Sequence, residues 1–555
     1  MKKQAIVYTN DGSSYTWEQL NERANQVAHW AIAQGFKQGD VVALMMENRP
    51  EFLFTWIGMA KIGVCCSLIN TYLTGKPLIH SLSVCGANKA IIGHANGEVV
   101  NQIRNEIKVD YTFFSMNGSV PNMTAIDSLL HSQSTKNPDR ALRNKTNSDS
   151  SLFFIYTSGT TGYPKASVIK HLRFYTAITV VAGMYGVMNS DRVYCCLPLY
   201  HSAGGIIGTG CALSTGCTFV FRKKFSATKF WKDISENNCT VFQYIGELCR
   251  YLLAQPKTEY DTAHNARLAI GNGMRPDVWK PFQERFKVGR IGEFYGATEG
   301  NCNVANTRGK FGAVGYVSPL YAALFPIKLV KFDVEKEEPI RTKEGFCIPC
   351  RPGEVGELLG YIDTKDPTRA FDGYTDEKAT NSKVLRNVFT TGDSWFRSGD
   401  LLRQDDSGFF YFVDRIGDTF RWKGENVSTN EVAEVISSVP GVQEANVYGV
   451  PVPGHDGKAG MACLVVDSQF DFQQLFDITK AQLPAYAVPL FVRIQPEIEI
   501  TTTFKHKKTD LRKEAFDPSA ISDKLYFRDS QQSKYVPLDK ALYQQIASGT
   551  RPRLQ

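Results

Sequence analysis

The sequence predicts an α/β fold in two unequal parts. Three observations carry this: helical patterns alternate with short β-prone runs along the chain, 555 residues suffice for more than one domain, and the pattern changes near Asp414 and Arg415. The stretch WEQLNERANQVAHWAIAQG (Trp17 to Gly35) has helical spacing, whereas DVVALMM (Asp40 to Met46) and VFQYIG (Val241 to Gly246) read as strands, an alternation that implies sheets covered by helices. The most apolar long window, Phe52 to Asn70, contains Lys61 and two glycines, and reads as a buried helix passing into a strand rather than a bilayer span. Gly118 to Ser151, rich in Ser, Asn and Thr, reads as surface connection. Beyond Arg415, the run Val447 to Val466 and the basic run FKHKKTDLRK (Phe504 to Lys513) fit a smaller unit of about a hundred residues.

Composition excludes several classes. With 43% hydrophobic and 21% charged residues the chain is an ordinary globular protein. Lys plus Arg number 63 against 56 acidic residues, and a net charge of +7 is too small to suggest a nucleic-acid partner. The 13 cysteines are scattered, with Cys65 and Cys66 and also Cys195 and Cys196 adjacent, and they follow no secretory signal, so free thiols in a reducing compartment are expected. The start, MKKQAIVYTNDGSSYTW, has no apolar core, so neither a signal peptide nor an anchor is expected there, and the protein is read as intracellular and not secreted.

Function is written most densely in FIYTSGTTGYPKASVIKH (Phe154 to His171). A β-prone run leads into Thr157, Ser158, Gly159, Thr160, Thr161 and Gly162, whose hydroxyls and accessible N–H groups, closed by the cation Lys165, suit a phosphate. The spacing Gly159-x-x-Gly162-x-x-Lys165 is not that of a Walker A loop, which needs GxxxxGK[ST]. Other pieces follow in order. AIGNGMRPDVW offers a second flexible turn at Gly271, Asn272 and Gly273; EFYGATEG offers the ring of Tyr295, the hydroxyl of Thr298 and the carboxylate of Glu299; WFRSGDL ends near Asp400. A carboxylate accepts from both ribose hydroxyls, a tyrosine face stacks on a purine, and a Glu beside phosphates is a natural Mg²⁺ ligand.

Together these pieces resemble the superfamily of adenylate-forming enzymes. Within it, ALMMENRPEF, RKKFSATKFW, GNGMRPDVW, GATEGN, DTFRWKGENVST and SDKLYFRDSQQSKYVPLD are similar to the fatty acid transport protein and very-long-chain acyl-CoA synthetase family, from about Ala5 to about Ile546. The resemblance implies a large N-terminal adenylate-forming domain of several α/β subdomains (1–414) and a small mobile C-terminal α+β domain with a family-specific tail (415–555). It implies ATP, Mg²⁺ and coenzyme A, a fatty acid as the carboxylate, and two half-reactions in one site.

Residue by residue, the resemblance implies that Thr157 to Lys165 hold the phosphates and that Thr157 and Glu299 contact Mg²⁺. Gly271, Asn272, Gly273 and Tyr295 border adenine, Asp400 holds the ribose, and Arg415 lies near ribose and phosphate. Lys505, in ITTTFKHKKTD, closes onto the reacting centre, with Phe504 where the wider superfamily has glycine. Gly417 falls at the hinge of the small domain. His201, in LPLYHSAG, borders the carboxylate, and Thr298 joins Glu299 and Lys505 among the catalytic residues.

Cys347 and Cys350 have metal-ligand spacing but no second pair nearby, so no zinc is expected. The run Arg222 to Lys224 suits the phosphates of coenzyme A, anionic lipid headgroups or plain solvent. A membrane component in which uptake is primary, and a ligase for a bulky carboxylate such as a bile acid, stay as alternatives. Relatives are described with an N-terminal hydrophobic segment, and this chain begins almost at AIVYTNDG, a departure that favours the ligase. Peripheral attachment would place it on the cytoplasmic face of the endoplasmic reticulum, plasma membrane or peroxisome, and otherwise it would be cytosolic. Chain length of the substrate and oligomeric state are not legible.

Overall fold

The structure, a computed structural model, describes residues 3–157, 163–321, 326–334, 336–366, 369–455, 457–499 and 507–550. Two largely parallel sheets form the body of the large part, one of seven strands and one of eight. In the seven-stranded sheet, Val41–Met45 pairs in parallel with Cys65–Leu68 and Lys89–Gly93, and Cys65–Leu68 pairs in parallel with Ser151–Thr157. Successive residues of these strands enter different cores: Val42, Leu44, Phe153 and Ile155 join the large core, while Ala43, Met45, Phe154 and Tyr156 join another. Burial on both faces is why DVVALMM is a continuous apolar run rather than an alternating one.

The predicted helix runs Trp17–Ala33 and begins with a capping box: Thr16 Oγ1 accepts from Gln19 N (3.2 Å) and Gln19 Oε1 from Thr16 N (2.9 Å). The apolar window folds as expected, helix Pro50–Lys61 turning into strand Cys65–Leu68, and no helix among the described residues is long and apolar enough to cross a membrane. The connection before Ser151 is mostly exposed turn with the short helices Asp127–His131 and Arg140–Arg143. It is tied down where Asn25 Nδ2 donates to the Thr135 carbonyl at 2.6 Å.

A third, antiparallel sheet holds Val355–Tyr361, Ser394–Gln404 and Phe409–Arg415. Arg415 ends its strand and stands opposite Asp400, so it belongs to the large part. From Phe420 to Ile546 a separate core forms around five strands, Val442–Pro451, Lys458–Val466, Phe491–Ile494, Lys524–Asp529 and Lys534–Pro537. The change of core thus falls between Arg415 and Phe420, just beyond the boundary read from the sequence, because the strand must finish before the chain can leave its sheet.

Candidate active site

The ends of the eight-stranded sheet's parallel strands build one wall of the site. Gly271 and Asn272 close the strand Leu268–Asn272 rather than forming a flexible turn, and only Gly273 has the left-handed backbone, at φ +79°. Gly271 is needed for close approach: a Cβ there would stand 2.3 Å from the Tyr244 carbonyl oxygen. Beneath this loop lies Glu293, fully buried, which accepts from the Tyr244 hydroxyl and, at 3.1 Å, from Met274 N. Burial pushes the Glu293 carboxyl up to about 8 despite those donors.

Because the folded protein holds this proton more tightly than the unfolded chain does, the stability Glu293 contributes is full below about pH 4.5 and is lost as pH rises towards 8. Glu293→Gln keeps the shape and removes the titration. A series of thermal melts across that range is expected to show a shallower decline for the variant than for the parent, and parallel curves would refute the assignment.

The opposite wall is the hairpin formed by Ser151–Thr157 and Lys165–Lys170, with Thr157 facing Lys165 across the ladder. The segment Gly373–Thr375 adds alongside: Val168 N donates to the Gly373 carbonyl (3.1 Å) and Thr375 N to that of Ala166 (3.0 Å). This pairing delivers Tyr374, whose hydroxyl donates to Glu299 Oε1 at 2.6 Å and also hydrogen-bonds with the Thr157 side chain, while Lys165 Nζ lies 5.6 Å from the centre of its ring. One phenol therefore gathers the hydroxyl, carboxylate and ammonium singled out from the sequence.

Glu299 is held from behind by Arg173, in helix His171–Tyr185. Its guanidinium donates to the carbonyls of Thr298 (2.5 Å), Gly300 (2.6 Å) and Glu299 (3.1 Å). Burial lowers the Arg173 pKa, opposed by Asp372 and Glu299, and the three carbonyls share the cost of keeping the charge inside.

Thr298 Oγ1 lies 3.0 Å from Ser202 Oγ, in the π-helix Ser202–Gly208 that His201 leads into. His201 precedes Ser202 in the chain, and its ring centre is 5.7 Å from that of Tyr200. Towards the third sheet, Tyr295 donates its hydroxyl to Asp400 Oδ2 at 2.5 Å and stacks on Phe412. Burial, then the Asp400 charge, push the phenol far above its ordinary pKa, so it remains a donor. Arg415 Nε stands 4.0 Å from Asp400 Oδ1.

Gly417 sits in an exposed turn, outside the left-handed region and with open space where a Cβ would be. Its carbonyl accepts from Arg512 Nη1 at 2.8 Å, and Arg512 and Lys508 both pair with Asp418, at 2.8 and 3.4 Å. Burial lowers the Lys508 pKa, with Asp418 and Asp414 opposing. Ser158, Gly159, Thr160, Thr161, Gly162 and Lys505 lie outside the described residues.

Two family models match the chain: AMP-binding enzyme over residues 1–360 and AMP-binding enzyme C-terminal domain over residues 431–505. The chain belongs to the AMP-binding enzyme family. Within that family it is 45% identical over 549 residues to long-chain fatty acid transport protein 1 of Mus musculus, covering 98% of this chain and 85% of that one. It is 43% identical over 554 residues to long-chain fatty acid transport protein 6 of the same species, covering 99% and 88%. Among solved structures, the anthranilate CoA ligase AuaEII in complex with anthranoyl-AMP superposes with a TM-score of 0.79 at 22% identity, over 94% of this chain and 95% of that one. A Mycobacterium tuberculosis fatty acyl CoA synthetase does so with 0.63 at 26% identity, over 93% and 95%. The two-part adenylate-forming fold expected from the sequence is therefore the one this AMP-binding enzyme has, and the family supports an ATP-dependent acyl-CoA synthetase.

Three residues that the structure of this AMP-binding enzyme brings into the candidate site were not picked out from the sequence. Glu293 left a trace, as the one acid in the β-prone run RIGEFY. Tyr374 and Arg173 left none, since their importance comes from pairings with residues 75 and 126 positions away. The basic run is largely spent: Arg222 pairs with Asp233 and Lys223 with Glu47, both at 2.8 Å, leaving a single lysine, Lys224, for any anion.

Proposed function

We propose that the chain is an AMP-forming CoA ligase for long-chain or very-long-chain fatty acids. The observation that carries this reading is the convergence of Thr157, Lys165 and Glu299 on Tyr374, beside the Tyr295–Asp400 pair. A fatty carboxylate oxygen attacks the α-phosphorus of ATP, the bond to the bridging oxygen breaks and pyrophosphate leaves. The sulfur of coenzyme A then attacks the acyl carbonyl, the bond to AMP breaks, and the thiol proton goes to solvent. Two anions must meet in the first step, so cations around the phosphates lower its barrier. Lys165 and Lys505 supply two, and the glycine-rich sequence from Ser158 to Gly162 would supply N–H donors.

A hydroxyl and a carboxylate suit Mg²⁺, which takes few protein oxygens and completes its shell with phosphate and water, so Thr157 and Glu299 would hold it. Bound there, it neutralises phosphate charge. Asp400 and Arg415 hold the ribose, Gly271 to Gly273 and Tyr295 border the adenine, and His201 borders the carboxylate. The transport named in the curated relatives agrees with this chemistry, because an acyl chain trapped as its CoA ester cannot diffuse back.

Purified protein screened for pyrophosphate release against carboxylates of increasing length tests the reading: activity should rise with chain length, and release with no fatty acid, or with aryl acids alone, would overturn it. Glu299→Gln removes one charge with almost no change of shape, and is expected to raise the Mg²⁺ concentration for half-maximal adenylation by about tenfold while leaving the thermal melt unchanged. An unaltered Mg²⁺ dependence would make Glu299 a purely structural residue.

A further inference from the structure

Tyr374, buried where three residues of the candidate site meet, has its backbone fixed from two sides. On one side Val168 N donates to the Gly373 carbonyl (3.1 Å) and Thr375 N to that of Ala166 (3.0 Å), which ties the segment to the strand Lys165–Lys170. On the other, Tyr374 N donates to Thr380 Oγ1 at 2.9 Å, in the helix Glu377–Ser382. Gly373 makes the turn between them at φ +70°, where a Cβ would stand 2.5 Å from Thr380 Cγ2. With its backbone held and its side chain buried, Tyr374 presents its hydroxyl at a set place.

The hydrogen bonds of that hydroxyl have a direction. A carboxylate only accepts, so the phenol proton goes to Glu299 Oε1, 2.6 Å away. The phenol oxygen then has only lone pairs to offer Thr157, so the Thr157 hydroxyl is the donor in that bond. The chain therefore runs from Thr157 to Tyr374 to Glu299. Metal ions bind lone pairs and are repelled by protons. A threonine whose proton is spent on a phenol keeps its lone pairs for another partner, and a carboxylate engaged through Oε1 keeps Oε2. Arg173 steadies the same carboxylate from behind, through the carbonyls of Thr298, Glu299 and Gly300.

We propose that Tyr374 is a positioning residue for Mg²⁺: its hydroxyl takes the proton of Thr157 and one oxygen of Glu299, and so sets the remaining lone pairs of both for the ion. The proposal rests on the ligase reading, which gives Thr157 and Glu299 to Mg²⁺, and adds the residue that orders them. Tyr374 itself touches neither nucleotide nor ion on this account. It acts through its two neighbours, and groups that orient the direct ligands of a metal carry a large share of the affinity.

The test is calorimetric binding of α,β-methylene-ATP, whose α–β bridge cannot be cleaved, to the full chain, once in excess EDTA and once in excess MgCl₂. The ratio of the two dissociation constants is the tightening that the ion provides. Tyr374→Phe keeps the ring and loses one oxygen; it is expected to cut that ratio by about tenfold, with the EDTA value within about twofold of the parent's and a melt confirming the fold. In turnover, the Mg²⁺ concentration for half-maximal pyrophosphate release should rise by a similar factor while kcat at saturating Mg²⁺ stays within about twofold. The double variant Tyr374→Phe, Glu299→Gln should lose far less than the product of the two single losses, since the phenol acts through the carboxylate. Equal weakening with and without the ion would make Tyr374 a packing residue, and an unchanged ratio, or a full product of losses in the double variant, would also overturn the proposal. Glu299→Gln is measured beside it. If that variant keeps the parent's ratio, the metal assignment within the ligase reading has failed, whereas a loss there with none in Tyr374→Phe sinks the positioning role alone.

Discussion

Replacing Lys505 with alanine is expected to slow acyl-adenylate formation by about 10²–10³-fold and to leave thioester formation from supplied acyl-adenylate within about twofold of the parent. The asymmetry follows from when charge accumulates. Pyrophosphate departs with several negative charges in the first half-reaction, whereas in the second a thiol meets a neutral carbonyl. A cation placed at the departing oxygens therefore acts in one step alone. What supports Lys505 as that cation is its flanks. Lys507 N donates to the Glu499 carbonyl at 2.9 Å, so the two ends of residues 499–507 are joined, and Lys508 is seated on Thr429 Oγ1 at 2.8 Å and on Asp418. That anchor lies beside Asp414, in the strand that carries Arg415. Rapid-quench measurement of both half-reactions decides it; equal losses in the two steps would sink the assignment.

Gly417→Pro is expected to leave single-turnover acyl-adenylate formation near normal and to cut acyl-CoA production by about 10²-fold, by trapping the orientation in which the adenylate forms. Large φ/ψ changes must be absorbed in the few residues where one core has ended and the next has not begun, and between Arg415 and Phe420 only Gly417 lacks a side chain. In the present orientation its backbone is ordinary and a Cβ there would meet open space, so the glycine is not required by this conformation. The demand, on this reading, comes from the other one. Labelled palmitate and ATP, with both products resolved and folding checked by melt, provide the measurement. A folded variant that makes acyl-CoA at the parent's rate would move the hinge elsewhere and leave Gly417 a turn residue.

Much of the fold and part of the candidate site were legible because their signals are local. Helix Trp17–Ala33, the helix-to-strand passage from Pro50 to Leu68 and the strand Val241–Ile245 announce themselves through spacing, length and capping residues. Thr157, Lys165, Glu299, Tyr295 and Asp400 could be named because each chemistry is carried by residue type within a short motif. Non-local pairing hid the rest. Tyr374 is one tyrosine among 24 until Gly373–Thr375 pairs with Ala166–Val168, and Arg173 is one basic residue among 63 until its helix packs against residues 297–300. Gly271 misread as a turn has a similar cause: nothing in GNG reveals that Tyr244 presses on the strand from the side.

The strand Phe409–Arg415 has a further implication. Its last residue faces Asp400, Ile416 N donates to the Gly399 carbonyl at 3.0 Å, and the proposed pivot follows immediately. On the proposed assignments, torque on the pivot is transmitted first to the peptide proposed to hold the ribose side of the nucleotide. If the two orientations of the small domain hold Arg415 even slightly differently, they bind AMP with different affinity, and reciprocity requires the nucleotide to bias the orientation by the same factor. Nucleotide occupancy and domain orientation are then two readings of one equilibrium, so titrating AMP should shift the orientation, and fixing the orientation should shift the AMP dissociation constant by an equal ratio.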